Sequence, residues 1–327
     1  MKRRHALSGA LILALPHLSY STRSNAQPNA KTRVIGLLDA GERQEEWDAF
    51  RQRLRELGYV EGRNITFVQR YAKGNVDAAG MLAKELVQQN VAVIVTSGAA
   101  AALAAQRATS SIPIVMASGA DQVGLGLASS FAKPGGNITG VSSFTPDLMA
   151  KRLELLKQVV PNSSRFAALW HRDNVSSMAS VRELDNAAAK VSVAFQSFGI
   201  SSGEGLEDAF ATMVRQRVEA VVVVNAPLMF LERRRLAALA LKYRLPAISG
   251  STEYVEVGGL MAYGPSYPDL ARHAAVYVDK ILKGANPGDL PIELPTTFEL
   301  AINAKTARTL GVVVPSTMLA RANRVVQ

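Results

Sequence analysis

The sequence predicts an α/β protein built as two doubly wound parallel-sheet lobes joined by hinge crossings. Three observations carry that reading. Strand-like and helix-like segments alternate along most of the chain. Several strand segments, such as Val91 to Val95 and Val221 to Val224, are continuous apolar runs rich in β-branched residues, which marks strands buried on both faces of a parallel sheet. The alternating series also runs twice, and 327 residues are enough for two domains with substantial cores.

The first series begins with a strand at Arg33 to Leu38 and a loop through Asp39-Ala40-Gly41. A helix follows, with Trp47, Phe50, Leu54 and Leu57 at helical spacing, Glu45 and Glu46 in its first turn, and Gly58 as its stop. Next come a strand at Asn64 to Arg70, a helix at Met81 to Val87 and the buried strand at Val91 to Val95. A helix from Ala99, a strand at Pro113 to Met116, a short helix after Asp121 and a strand at Ile138 to Val141 complete the series.

A helix with an apolar stripe at Leu148, Leu155, Leu156 and Val159 leads into the second series. Its strands are Arg165 to Trp170, Val191 to Phe198, Ala220 to Val224 and Pro246 to Ile248. Its helices lie near Val175 to Lys190, Leu206 to Arg215 and Leu228 to Tyr243. A strand at Leu260 to Tyr263, a long helix from Asp269 to Leu282, a strand-like Thr297 to Asn303 and a terminal helix follow. The expected domains are a signal peptide at 1–26, lobe one at 31–141 plus 268–327, and lobe two at 142–267, with hinges near Gly140 to Thr145 and Gly264 to Pro268.

The leader directs the functional reading. Lys2-Arg3-Arg4 is a basic flank, Ala6 to Leu15 is apolar apart from Ser8 and Gly9, and Ser24-Asn25-Ala26 places small residues for a signal peptidase. The expectation is export with cleavage after Ala26 and a periplasmic location, by a route that Arg3-Arg4 leaves open. The alternative is a core helix, for which a basic flank at the very N-terminus is unusual. The chain has no Cys, which excludes a lipobox lipoprotein, disulfides, thiolate metal sites and Cys nucleophiles. The formal charge of +10 falls to +6 without the four basic residues of the leader. The remaining basic residues are scattered among acids, as in Glu232-Arg233-Arg234-Arg235, with no interleaved aromatics, so no nucleic acid partner is expected.

Several segments carry a family resemblance. They are Leu57-Gly58-Tyr59-Val60-Glu61-Gly62-Arg63-Asn64, Lys133-Pro134-Gly135-Gly136-Asn137-Ile138-Thr139-Gly140-Val141, Ala275 to Gly284 and Leu290 to Asn303, in that order and spacing. They resemble the ABC transporter substrate-binding proteins typified by tryptophan and tyrosine binders, over essentially the whole mature chain. The resemblance implies a fold similar to type I periplasmic binding proteins, with three crossings and a ligand in the cleft. It also implies a small-molecule ligand, an ABC permease in the inner membrane as partner, a monomer, and no cofactor. One departure is Asp121-Gln122-Val123-Gly124, where the family often has Asp-Pro-Val-Gly.

Independently of resemblance, ligands of open parallel sheets bind outside the carboxyl ends of the strands. Thr96-Ser97-Gly98-Ala99 joins a buried strand to a helix whose free N–H groups suit a carboxylate, or equally makes an ordinary N-cap holding water. Asp121 suits an α-ammonium group or caps the next short helix. Asn225, before Pro227, offers an amide at a strand end or serves as a turn residue. Ser251 and Glu253 could face an ammonium or hydroxyl, or start a solvated helix. Tyr263 and Tyr267 flank Gly264-Pro265, where rings cover a ligand or pack a hinge, with hinge packing expected of Tyr267. Trp170 ends a strand at the cleft, while Trp47 keeps helical register with core residues.

Catalysis has little support in the sequence. Only His171 and His273 remain outside the leader, in no metal-ligand spacing. Gly124-Leu125-Gly126 lacks the third glycine of a dinucleotide fingerprint. The leading expectation is an exported receptor of an ABC import system that captures an amino acid or related carboxylate. The alternatives are a periplasmic sensory receptor for a membrane kinase and an exported enzyme. A sugar-responsive repressor shares such a core but needs a DNA-binding headpiece where this chain has its leader.

Overall fold

Residues 32–143 and 148–327 are described by the computed structural model. The leader with its cleavage site, and Phe144 in the first crossing, lie outside the described residues.

The first sheet holds five parallel strands in the order β2-β1-β3-β4-β5. They are β1 (Arg33–Asp39), β2 (Ile65–Tyr71), β3 (Val93–Ser97), β4 (Ile114–Ser118) and β5 (Ile138–Gly140). The period of two along each strand divides the lobe into two cores. Ile35, Leu37, Val93 and Val95 pack against α1 (Gln44–Glu56) and the late helix α10 (Tyr267–Leu282). Leu38, Ile94 and Met116 face α2 (Val76–Gln88) and α3 (Ala99–Ala108) instead. Helix α2 starts five residues earlier than its apolar pattern indicates, because the Asn75 side chain caps it by accepting from Ala78 N at 3.0 Å.

The second sheet runs β12-β11-β10-β9-β8-β6-β7. Strands β6 (Arg165–His171), β7 (Ala194–Ile200), β8 (Ala220–Val223), β9 (Ala247–Ser249) and β10 (Met261–Pro265) are parallel and repeat the strand order of the first sheet. On one face lie α4 (Leu148–Val159) and α5 (Ser177–Lys190); on the other, α6 (Gly205–Arg215), α8 (Arg233–Lys242) and the short α9 (Glu253–Glu256). The single helix expected at Leu228 to Tyr243 is two, α7 (Pro227–Leu231) and α8, with the break at Glu232.

The C-terminal segment divides between the lobes. Helix α10 packs on the first sheet. Strand β11 (Phe298–Asn303), however, pairs antiparallel with β10, and β12 (Arg324–Val326) pairs with β11, so both extend the second sheet. Leu300 and Ile302 join the core of Val222 and Ile248, which places this strand in lobe two. Helices α11 (Ala304–Leu310) and α12 (Ser316–Arg321) flank it.

The chain passes between the sheets after β5, at Ser266 and along residues 290–297, and these crossings bond to one another. Ser142 N donates to Glu293 O at 2.8 Å, and Ser266 N donates to Thr297 O at 3.1 Å. Gly140, at φ +128, permits the first crossing, since a Cβ there would overlap the Met116 backbone. Among the described residues, no helix is long and apolar enough to cross a membrane.

Candidate functional site

The carboxyl ends of β1, β3, β4 and β8 and the N-terminal turn of α4 converge on one cavity, which encloses about 700 Å³ of unfilled space including its mouth. In each sheet the first and third strands of the lobe, β1 beside β3 and β6 beside β8, form the switch point of the strand order, so the cavity sits where the topology opens a crevice.

The lobe-one wall is organised by two buried acids. Asp39, at the end of β1, accepts from Gly41 N at 2.6 Å, Arg43 N at 3.0 Å and Trp47 Nε1 at 2.7 Å. These bonds fix the loop that brings Gly41 and Arg43 to the cavity. Glu46, one turn into α1 and 1% exposed, accepts from Ser97 Oγ at 3.1 Å and Ser118 Oγ at 3.4 Å. Burial, and then Asp39, push the Glu46 carboxyl up to about 8 against the opposing pull of Arg43 and the two serines. It is therefore mostly protonated at neutral pH. Gly98, at φ +92, turns the chain from β3 into α3. No side chain caps α3, so its first N–H groups open at the wall formed by Gly98 and Ala99.

Arg43 crosses to the other lobe. Its guanidinium lies 4.1 Å from the Phe230 ring centre and 3.9 Å from that of Tyr267, and 3.5 Å from the Glu253 carboxylate. Burial disfavours its charge, but Tyr267, Glu253, Glu46 and Asp39 outweigh that and hold its pKa above the usual value.

Arg152 forms the opposite wall. It is fully buried in α4, with Nε donating to Tyr263 O at 2.7 Å and Nη1 lying 3.7 Å from Met149 Sδ. Its Nη2 has no hydrogen-bond partner among the described residues. Burial pulls this guanidinium down to about 10, still charged at neutral pH. Asn225 beside it donates from Nδ2 to Tyr267 Oη at 3.0 Å, while its buried Oδ1 has no partner among the described residues. A Cβ at Gly250 would overlap both Arg152 Nη2 and the Asn225 amide, so glycine is what lets these two heads sit together. Among the described lining residues there are two arginines and no acid. Such a wall favours an anion.

The family described as ABC transporter substrate binding protein matches residues 31–326. The chain belongs to this family. A tyrosine-binding protein of Clostridioides difficile is 27% identical over 261 residues, 80% of this chain and 75% of that protein. Among solved structures, an ABC domain in complex with L-Trp from Streptococcus pneumoniae is similar with a TM-score of 0.85 at 26% identity, covering 90% of this chain and 100% of that one. A conserved domain protein from Vibrio cholerae has a TM-score of 0.85 at 27% identity with the same coverage.

In this substrate-binding protein, Ser97, Gly98, Ala99 and Asn225 line the cavity. The other expected positions lie elsewhere. Thr96 is enclosed within β3, fully buried. Asp121 adopts φ +58 and turns toward Gly124, in a run of turns instead of the expected helix. Ser251 is buried, with its carbonyl accepting from Tyr254 N. Glu253 stands outside the lining, paired with Arg43. Tyr263 stacks on Phe298 at 5.8 Å, and only its carbonyl serves the site, by holding Arg152. Trp170 packs on the lobe-two core. Tyr267, expected to pack a hinge, is a cavity residue.

Arg43 and Arg152 were not among the expected site residues. Arg152 left a legible signal. It lies four residues after Leu148 and three before Leu155, on the apolar stripe of α4, and a lone arginine on such a stripe must be either paired or functional.

Proposed function

We propose that this substrate-binding protein is the exported receptor of an ABC import system, which closes on a small carboxylate-bearing solute and delivers it to an inner-membrane permease. The observation that carries this reading is the buried Nη2 of Arg152, without a hydrogen-bond partner among the described residues, across the cavity from the N-terminus of α3. A carboxylate between them takes a charge-assisted hydrogen bond from one lobe and backbone N–H groups from the other. Ser97, Gly98, Ala99 and Asn225 complete the contacts. Only the closed form offers both halves at once, so the solute stabilises closure. The ligands named for two relatives, L-Trp and tyrosine, both carry a carboxylate. The leader supplies export to the periplasm, and the receptor works as a monomer that binds without turnover.

Thermal unfolding and small-angle scattering with a panel of small carboxylates test this. At a thousandfold excess over Kd, binding adds about 4 kcal/mol, a rise of several degrees in Tm for a chain of this length. The radius of gyration should fall with the same compound. A panel that leaves both quantities unchanged would sink the proposal.

A further inference from the structure

A second, smaller cavity opens between the lobes beside the first. It encloses about 290 Å³ of unfilled space including its mouth, below the roughly 300 to 1,000 Å³ of a complete ligand pocket. Ala40, Asn174 and Pro227 border both cavities, so the two adjoin. Ala72, Gly74, Ala79 and Ala100 make up most of its lobe-one wall, and His171 and Asp173 stand on the lobe-two side. Such small side chains leave a hollow that the protein does not fill itself, with packing contacts forgone. Both walls are held in place. Ala72 N donates to Asp39 O at 2.8 Å, Gly74 N to Ala40 O at 2.7 Å, and Asn174 Nδ2 to Ser177 Oγ at 2.8 Å.

The buried polar head of this hollow is His171. It ends β6, is 5% exposed, and its Nδ1 is buried with no partner among the described residues. Burial pulls its pKa below the ordinary value against Asp173 and the Ser201 backbone, so the ring is neutral at neutral pH. The Asp173 carboxylate, 3.7 Å from Nε2, favours the proton there. That leaves Nδ1 as an acceptor, and a buried acceptor calls for an N–H or O–H. The Asp173 side chain itself is 61% exposed, so solvent screens its pull on any cation in the hollow.

A bulky apolar body with one donor at its tip matches these walls. We infer that the second cavity is the side-chain pocket of the receptor, and that His171 Nδ1 selects an amino acid whose side chain ends in a single neutral donor, a phenol or an indole, over one of the same shape without it. This rests on reading the first cavity as the seat of the carboxylate. The main-chain end stays at Arg152 and the start of α3, and the side chain passes Ala40, Asn174 and Pro227 to reach His171.

Titration calorimetry of the purified protein tests the inference with tyrosine against phenylalanine and tryptophan against 1-methyltryptophan, each pair differing at the donor, and with alanine and lysine as further probes. In the better-bound pair the donor-bearing member should win by at least about tenfold in Kd, the low end of what an unpaired buried acceptor costs. His171→Phe, which keeps a ring and removes the acceptor, should erase that ratio. Ala100→Leu, which fills the hollow, should weaken both members far more than alanine. A donor-free member that binds the unaltered protein as tightly as its partner would overturn the inference and leave the carboxylate receptor standing, as would tighter binding of alanine or lysine. Binding of no amino acid would remove both.

Discussion

Arg43 and Arg152 reach the same cavity from opposite sheets, and their surroundings treat them in opposite ways. Arg43 is compensated within the protein, held between the Phe230 and Tyr267 rings with Glu253 alongside, and so ties lobe one to lobe two. Arg152 has a backbone carbonyl and a thioether, but no ion pair among the described residues. An uncompensated buried charge costs several kcal/mol unless something else supplies the counter-charge. Burial alone therefore does not mark a binding group. The missing compensation does, because the desolvation already incurred at Arg152 is relieved when an anion arrives.

The sharpest way to break this comparison is to remove each charge in turn. Arg152→Met should weaken carboxylate binding by about 3 kcal/mol, the scale for truncating one partner of a buried charge pair, while the ligand-free Tm holds or rises. Arg43→Met should do the reverse, lowering Tm through the lost ring and Glu253 contacts and costing less affinity. Calorimetry and melting curves on the two variants decide the matter; a larger affinity loss at Arg43 would undo the distinction.

Glu46 sharpens it from the lobe-one side. Its folded pKa of about 8 lies above the ordinary carboxylate value of 4.5, so the folded state holds a proton that the unfolded chain releases first. Stability is then fully present below about pH 4.5 and declines as pH rises toward 8, a loss of roughly 3 kcal/mol by pH 7. Glu46→Gln should flatten Tm across that window and stabilise the protein at its alkaline end. Carboxylate affinity should also fall above pH 8 in the parent and less so in the variant, because ionised Glu46 lies behind the serines of the anion site.

Smaller effects probe the shared seat of Arg152 and Asn225. Gly250→Ala forces both heads to move and should cost about 1 to 3 kcal/mol of stability, with a parallel loss of affinity. Tyr267→Phe removes only the partner of Asn225 Nδ2 and should cost about 1 kcal/mol. An affinity unchanged by Gly250→Ala would separate Arg152 from the ligand.

Much of the fold is legible in the sequence because local patterns report it. The β-branched runs became β3 and β8, and the apolar spacing of Trp47, Phe50 and Leu54 became the buried face of α1. Errors arose where a tertiary contact outweighed the local pattern. Asp121 carries the residue type of a cap, yet the backbone enters the left-handed region there and no helix follows. Tyr263 and Trp170 sit at strand ends near the cleft in sequence, but strand alternation sends their rings into stacking with Phe298 and into the lobe-two core.

By itself, the sequence determined the α/β class, the doubled βαβ series, the family and the loops that could reach a ligand. Those follow from periodicities of two and 3.6, from β-branched runs and from motif order, all local properties of the chain. Only the tertiary structure decided which arginine is compensated. That depends on whether an acid or a ring from a distant segment comes within a few ångströms. Glu253 and Phe230 do so for Arg43 across some two hundred residues of chain, whereas Arg152 makes no ion pair among the described residues and Glu183 only adds to the field around it. It also decided that β11 and then β12 extend the second sheet, since a strand joins whichever sheet edge has open hydrogen-bonding groups, and for β11 that edge was β10.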